Sequence, residues 1–172
     1  PFIFFWQMTM EGQEPLAPDT EAVRPLGAWA TASRAELGHT PQWCPAILSG
    51  MPSYGSFIHT PSSPFDITRW LRSLFPGSRG MRYFVSLAIG AVALYLLLLR
   101  WRLRPIGALT GAFSFAMTPY VFGMVAAGHS TKLQALYLAP LVFLAIQVLL
   151  DRRTLAAAGF LAAAIALQLW NN

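Results

Sequence analysis

The sequence predicts an all-α membrane protein: a polytopic bundle of transmembrane helices with one long extracytoplasmic loop. Three observations carry that reading. Hydrophobic residues fill 55% of the 172 positions and charged residues only 11%, against about 25% charged in soluble domains. Four uncharged runs approach the length of a membrane span, and most of the arginines gather in short clusters at their ends. Between an N-terminal apolar run and the first complete span lies a Pro- and aromatic-rich segment, residues 11–80.

Crossing a hydrocarbon core of about 30 Å at about 1.5 Å per residue takes roughly 17 to 25 apolar residues. Residues 1–10 read as the tail of an earlier span. Complete spans are expected at Tyr83–Leu99, Pro105–Ala127, Leu133–Leu150 and Thr154–Trp170. The chain starts without Met and stops at Asn172, so it reads as a fragment, and a missing signal peptide carries no meaning. Positive charge in short loops stays cytoplasmic. Arg100, Arg102 and Arg104 crowd one joint, and Arg152 and Arg153 fill another. These two joints are expected inside, and the joint at Gly128–Lys132 outside together with residues 11–80. The net charge of +5 and pI near 10.0 are therefore read as a topology signal, with no nucleic-acid partner implied.

The outer segment has structure of its own. Across residues 65–75, Ile67, Trp70, Leu71, Leu74 and Phe75 fall on one helical face, and Pro76-Gly77 stops the run. Such a helix lies along the membrane surface. A weaker helix is expected at 25–37, with Pro25 in its first turn. Residues 41–64 hold five prolines together with Gly50 and Gly55, which predicts an irregular, rigid loop.

Few side chains in this sequence carry chemistry. Asp19 stands just after the truncated span; it either caps a local turn or helix, or serves as a surface-held carboxylate that takes a proton from an acceptor hydroxyl. Glu21 and Asp66 compete for that role. His129 and Lys132 lie three residues apart where two spans meet, and Lys132 is the only lysine. Lys132 either snorkels to the interface or, with His129 and Thr131, holds a phosphate group. Gly107 and Gly111 suit close helix contact, Trp43 and Trp170 suit interfacial anchoring, and Cys44 reads as an inert buried thiol. No metal-ligand spacing is present, and cysteine pairing is impossible with Cys44 alone.

Taken in order, Pro18-Asp19-Thr20, Trp43-Cys44-Pro45, Ser49-Gly50-Met51-Pro52, Gly128-His129-Ser130-Thr131-Lys132 with Pro140 beyond it, and Leu167-Gln168-Leu169-Trp170-Asn171-Asn172 resemble the YfhO-like family of bacterial membrane proteins. The resemblance spans the whole chain. It implies a GT-C type glycosyltransferase in the bacterial inner (cytoplasmic) membrane, using a polyprenyl-phosphate sugar donor and a cell-envelope acceptor on the outer face. In such enzymes an acidic residue of the first outer loop is the usual catalytic base, which implies that role for Asp19. The same resemblance implies substrate-binding roles for His129, Thr131, Lys132 and Asn172, and a divalent metal is compatible with it. Two features depart from the family. Cys44 stands where an asparagine is usual, and a following His and Gln are missing after Asn172. Two other classes compete: a transporter or channel subunit with His129 and Lys132 lining the path, and a structural assembly subunit. Transporter sites lie near the midplane, whereas these residues fall at the outer boundary, which favours the transferase.

Overall fold

The computed structural model describes residues 6–11, 17–53, 67–75 and 79–170. Within them lie eight helices and one small hairpin: α1 (Trp6–Met10), α2 (Pro18–Leu37), β1 (Trp43–Cys44), β2 (Met51–Pro52), α3 (Ile67–Leu74), α4 (Arg79–Arg100), α5 (Pro105–Ala116), α6 (Pro119–Ala127), α7 (Ser130–Arg152) and α8 (Leu155–Trp170). Three helical stretches are long and apolar enough to cross a membrane, Gly80–Arg100, Pro105–Ala127 and Lys132–Arg152, as a multi-pass membrane protein requires. The fourth apolar helix, α8, has 16 residues and reaches about 24 Å at about 1.5 Å per residue.

The apolar helices pack in a row, α5 against α4, α4 against α7 and α7 against α8, with α6 also on α7 and α1 on α4. Small residues make the contacts. Ala108, Ala112 and Ala116, four apart, are the buried stripe of α5, while Ile106, Leu109 and Phe113 point outward from the same helix. Large apolar side chains outside and small ones between helices is the pattern of a bundle whose solvent is lipid. The sequence expectation for Gly107 fails here. A Cβ on Gly107 would meet nothing within 4 Å, whereas one on Gly111 would touch Leu98 Cδ1 at 2.8 Å. The closest approach lies elsewhere, at Gly90, whose added Cβ would sit 2.7 Å from the carbonyl oxygen of Tyr137.

Two sets of side-chain bonds fix the ends of the bundle. Arg100 pairs with Asp151 at 2.5 Å, and Trp101 Nε1 donates to Gln147 Oε1 at 3.1 Å, joining the C-terminal ends of α4 and α7. At the far end Gln168 Nε2 donates to the carbonyl of Ala135 at 3.0 Å. α4 and α7 therefore run in the same direction, and α5 and α6 carry the chain back from one end of the bundle to the other. Both arginine joints fall at one end, and the Gly128-His129 joint at the other.

The second span is not one helix. Pro119 has no N–H to donate and forces Thr118 into an extended conformation (φ −62°, ψ 136°), so the helix stops at Ala116 and restarts at Pro119. Pro25 differs too. Pro18 takes the first-turn position, α2 starts seven residues earlier than expected, and Pro25 lies inside the helix. Gly38, at φ 71°, ends it with its N–H on the Arg34 carbonyl.

Within residues 41–53 the chain is ordered as a hairpin, not an irregular loop. Trp43 pairs with Pro52 and Cys44 with Met51. Ser53 closes the base, its N–H donating to the Gln42 carbonyl at 2.9 Å and its hydroxyl to that of Pro41. Trp43 lies over Gly50, which has φ 114° and leaves no room for a Cβ, 2.7 Å from the indole. Cys44 is fully buried. Residues 54–64, the rest of that segment, lie outside the described residues.

Helix α3 packs on α4, with Leu71 buried and Trp70 and Leu74 exposed at 59% and 66%. Arg82 Nη1 donates to the Phe75 carbonyl at 3.3 Å, holding α3 at the end of the bundle that carries His129. An exposed Trp and Leu on a helix docked to a span fit the head-group region. In a variant whose other five tryptophans are Phe, Trp70 should be quenched by brominated lipid in vesicles, and Leu74→Asp should reduce that quenching. A Trp70 that brominated lipid leaves unquenched would refute the surface placement.

Candidate functional site

The joint between α6 and α7 is built by local backbone rules. Gly128 adopts φ 85°, open to glycine and strained for other residues. Its N–H donates to the Val125 carbonyl at 3.2 Å, and the His129 N–H donates to that of Met124 at 3.0 Å. These are the two bonds of a Schellman closure. The glycine of the Gly-His-x-Thr-Lys motif thus reverses the chain and sets the position of the residues after it.

His129 stands at the cap of α7 with φ −77° and ψ 62°, and its side chain is half-buried. Its carbonyl accepts the Leu133 N–H at 3.1 Å, the first turn of the helix. Lys132 is the third residue of α7 and is exposed. Spacing of three on one helical turn puts His129 and Lys132 on one side of the joint. The helix N-terminus carries partial positive charge and amides without helical partners, so an anion is favoured there and a lysine is not unless an anion offsets it. Thr131 shares this turn; its side chain lies outside the described residues, as does the whole of Asn172.

Asp19 is the second residue of α2, following buried Ala17, so it belongs to the first turn of a helix and is not its cap. Its carboxylate is not among the described side chains. α2 touches α6, the helix that ends at the Gly128-His129 joint. Of the competing carboxylates, Glu21 is taken up by Arg24 at 2.9 Å, and Asp66 lies outside the described residues. Among the described residues no three His, Cys, Asp or Glu side chains gather as metal ligands would.

Sequence reasoning passed over the polar groups inside the bundle. Ser86, Gln134 and Tyr137, with Ile89 and Leu138, line a small cavity between α4 and α7. Tyr137 is 1% exposed and its hydroxyl has no partner among the described residues. A Ser, a Gln and a Tyr within apolar spans were the available signal, since polar groups in lipid are kept where they face the bundle interior.

Comparison of the chain with known protein families, with curated proteins and with solved structures finds no match.

Proposed function

We propose that the chain is the donor-binding part of a GT-C type glycosyltransferase acting at the outer face of the bacterial inner membrane. The observation that supports it most is the joint itself. The sole lysine stands exposed in the first turn of an apolar helix, beside half-buried His129, where helix amides already favour an anion. A phosphate carried on a polyprenyl chain fits both halves of that environment: its charge meets Lys132, His129 and the Thr131 turn, and its hydrocarbon tail lies along the lipid-facing helices.

In the proposed reaction the acceptor hydroxyl oxygen attacks the anomeric carbon of the sugar. Asp19 takes the hydroxyl proton, the bond from that carbon to the phosphate oxygen breaks, and the lipid phosphate leaves with its electron pair. Lys132 and His129 offset the charge that builds on the departing phosphate. The test is to incubate membranes containing the chain with polyprenyl-phosphate-linked sugars and envelope acceptors, and to follow lipid phosphate release. Release that depends on Lys132 supports the reading; tight donor binding unaffected by Lys132→Ala removes its basis.

One observation favours a transporter instead. The second span is interrupted at Met117-Thr118, near its middle, and broken helices line transport paths. Yet no ionisable residue except Tyr120 lies between Arg104 and His129, so the break offers no charged coordinating group. That weighs toward the transferase.

A further inference from the structure

We propose that the end of the bundle opposite His129 is a binding surface for anionic phospholipid head groups, formed jointly by the α4–α5 and α7–α8 joints. The Arg100–Asp151 pair and the Trp101–Gln147 bond bring these joints side by side. Arg102, Arg104, Arg152 and Arg153 are all exposed there. Asp151 is the only acidic residue after Asp66 and is engaged by Arg100 and by Gln147 Nε2 at 2.8 Å. Five arginines and one aspartate leave an excess of four positive charges on one small surface. Trp101, 54% exposed, and Leu103, 42% exposed, stand among them. A tryptophan with its N–H satisfied and its ring outward marks head-group depth.

The backbone supplies a second, independent observation. Arg102 and Arg153 both occupy left-handed conformations, at φ 61° and φ 49°, just where α4 and α7 end. Glycine is the residue that fits such positions without strain. An arginine at both sites gives up backbone ease and places a guanidinium at each joint, where it forms bidentate bonds to phosphate. Lipid phosphate, held in a plane at the height of Trp101, is the anion this surface faces.

Glycine substitution separates stability from binding. Arg102→Gly with Arg153→Gly relieves the left-handed strain, so the apparent melting temperature in phosphatidylcholine should hold or rise. Binding of phosphatidylglycerol to the chain in neutral detergent, followed by native mass spectrometry, should weaken about fivefold per arginine removed, or about 25-fold for the pair. Arg104→Gln with Arg152→Gln, at exposed positions, should weaken it to a similar degree. Phosphatidylglycerol binding that is no tighter than phosphatidylcholine binding, or that survives both double substitutions, overturns the proposal. So does equal competition by inorganic phosphate at the same concentration, which would make this a site for a free anion.

Discussion

Gly90→Leu is expected to unfold the bundle, and Gly90→Ala to destabilise it by about 1–3 kcal/mol, the usual cost of overpacking a well-packed contact. The first carbon of any side chain at position 90 would sit 2.7 Å from the Tyr137 carbonyl oxygen and 3.1 Å from the Tyr137 Cα. Both atoms are backbone, so relief requires α4 and α7 to move apart. They are the central pair of the row, so separation would strip α5 and α8 of a common support. Helix propensity works the other way, since alanine is favoured over glycine by roughly 0.5–1 kcal/mol inside a helix. Gly123→Ala and Gly159→Ala, where nothing lies within 4 Å of the new Cβ, show that gain without the clash and should hold or raise stability. Thermal unfolding in detergent, read by helical circular dichroism, checks the contrast. A Gly90→Ala protein as stable as the Gly159→Ala protein would mean the α4–α7 crossing is looser than described.

Asp19→Asn is expected to lower the turnover of sugar transfer by about 10²- to 10⁴-fold, the range for losing a positioned general base. The substitution keeps the side-chain volume and removes only the ability to take a proton. Lys132→Ala acts on a different constant. A hydrogen bond to a charged group is worth about 1.5–3 kcal/mol, so KM for the lipid-linked donor should rise about ten- to a hundredfold while kcat falls less. The rival account of Asp19 makes a different forecast. A carboxylate in the first turn of α2 that does no more than interact with the helix dipole contributes about 0.3–1 kcal/mol. Its loss would lower stability slightly and leave kcat unchanged. Steady-state kinetics of the two variants, with unfolding measured alongside, separates the accounts.

The helices are legible in the sequence where a single physical rule governs. Uncharged runs bounded by arginines identify α4, α5–α6, α7 and α8 because lipid tolerates few charges and forces helix on the backbone. The face of α3 is legible because five apolar residues recur at helical spacing, and the structure buries Leu71 of that set and exposes Trp70 and Leu74. The sequence is ambiguous where two rules compete. Pro18 and Pro25 both suit a first helical turn, and the choice between them depends on whether the intervening residues continue as helix, which they do. Pro119 interrupts an apolar run that hydropathy alone reads as continuous. Which small residues make contact depends on how a helix is rotated against its neighbour. That is why Gly107 faces open space while Gly111, Gly90 and the Ala108, Ala112, Ala116 stripe carry the packing. Strands of two residues are too short to show an alternation, so the Trp43–Pro52 ladder left no pattern.

The candidate site divides along the same line. His129 and Lys132 are neighbours because a Schellman turn and one helical turn put them there, and both follow from Gly128 and the residues after it. The relation of Asp19 to that joint is tertiary. It passes through the packing of α2 on α6, which no local pattern encodes.

The proposed site can act on an outer-face donor only if the Gly128-His129 joint faces the outer side of the membrane. In intact cells, Ser130→Cys should react with a membrane-impermeant thiol reagent and Leu103→Cys should not, each made in a Cys44→Ala background so that no other thiol is present. Leu103 is exposed at the arginine-bearing end of the bundle, and Ser130 opens α7 at the other end. Labelling at Ser130 with protection at Leu103, reversed only when the membrane is permeabilised, is the result this account predicts. Labelling at Leu103 with protection at Ser130 would place Lys132 and His129 in the cytoplasm and contradict an outer-face transferase.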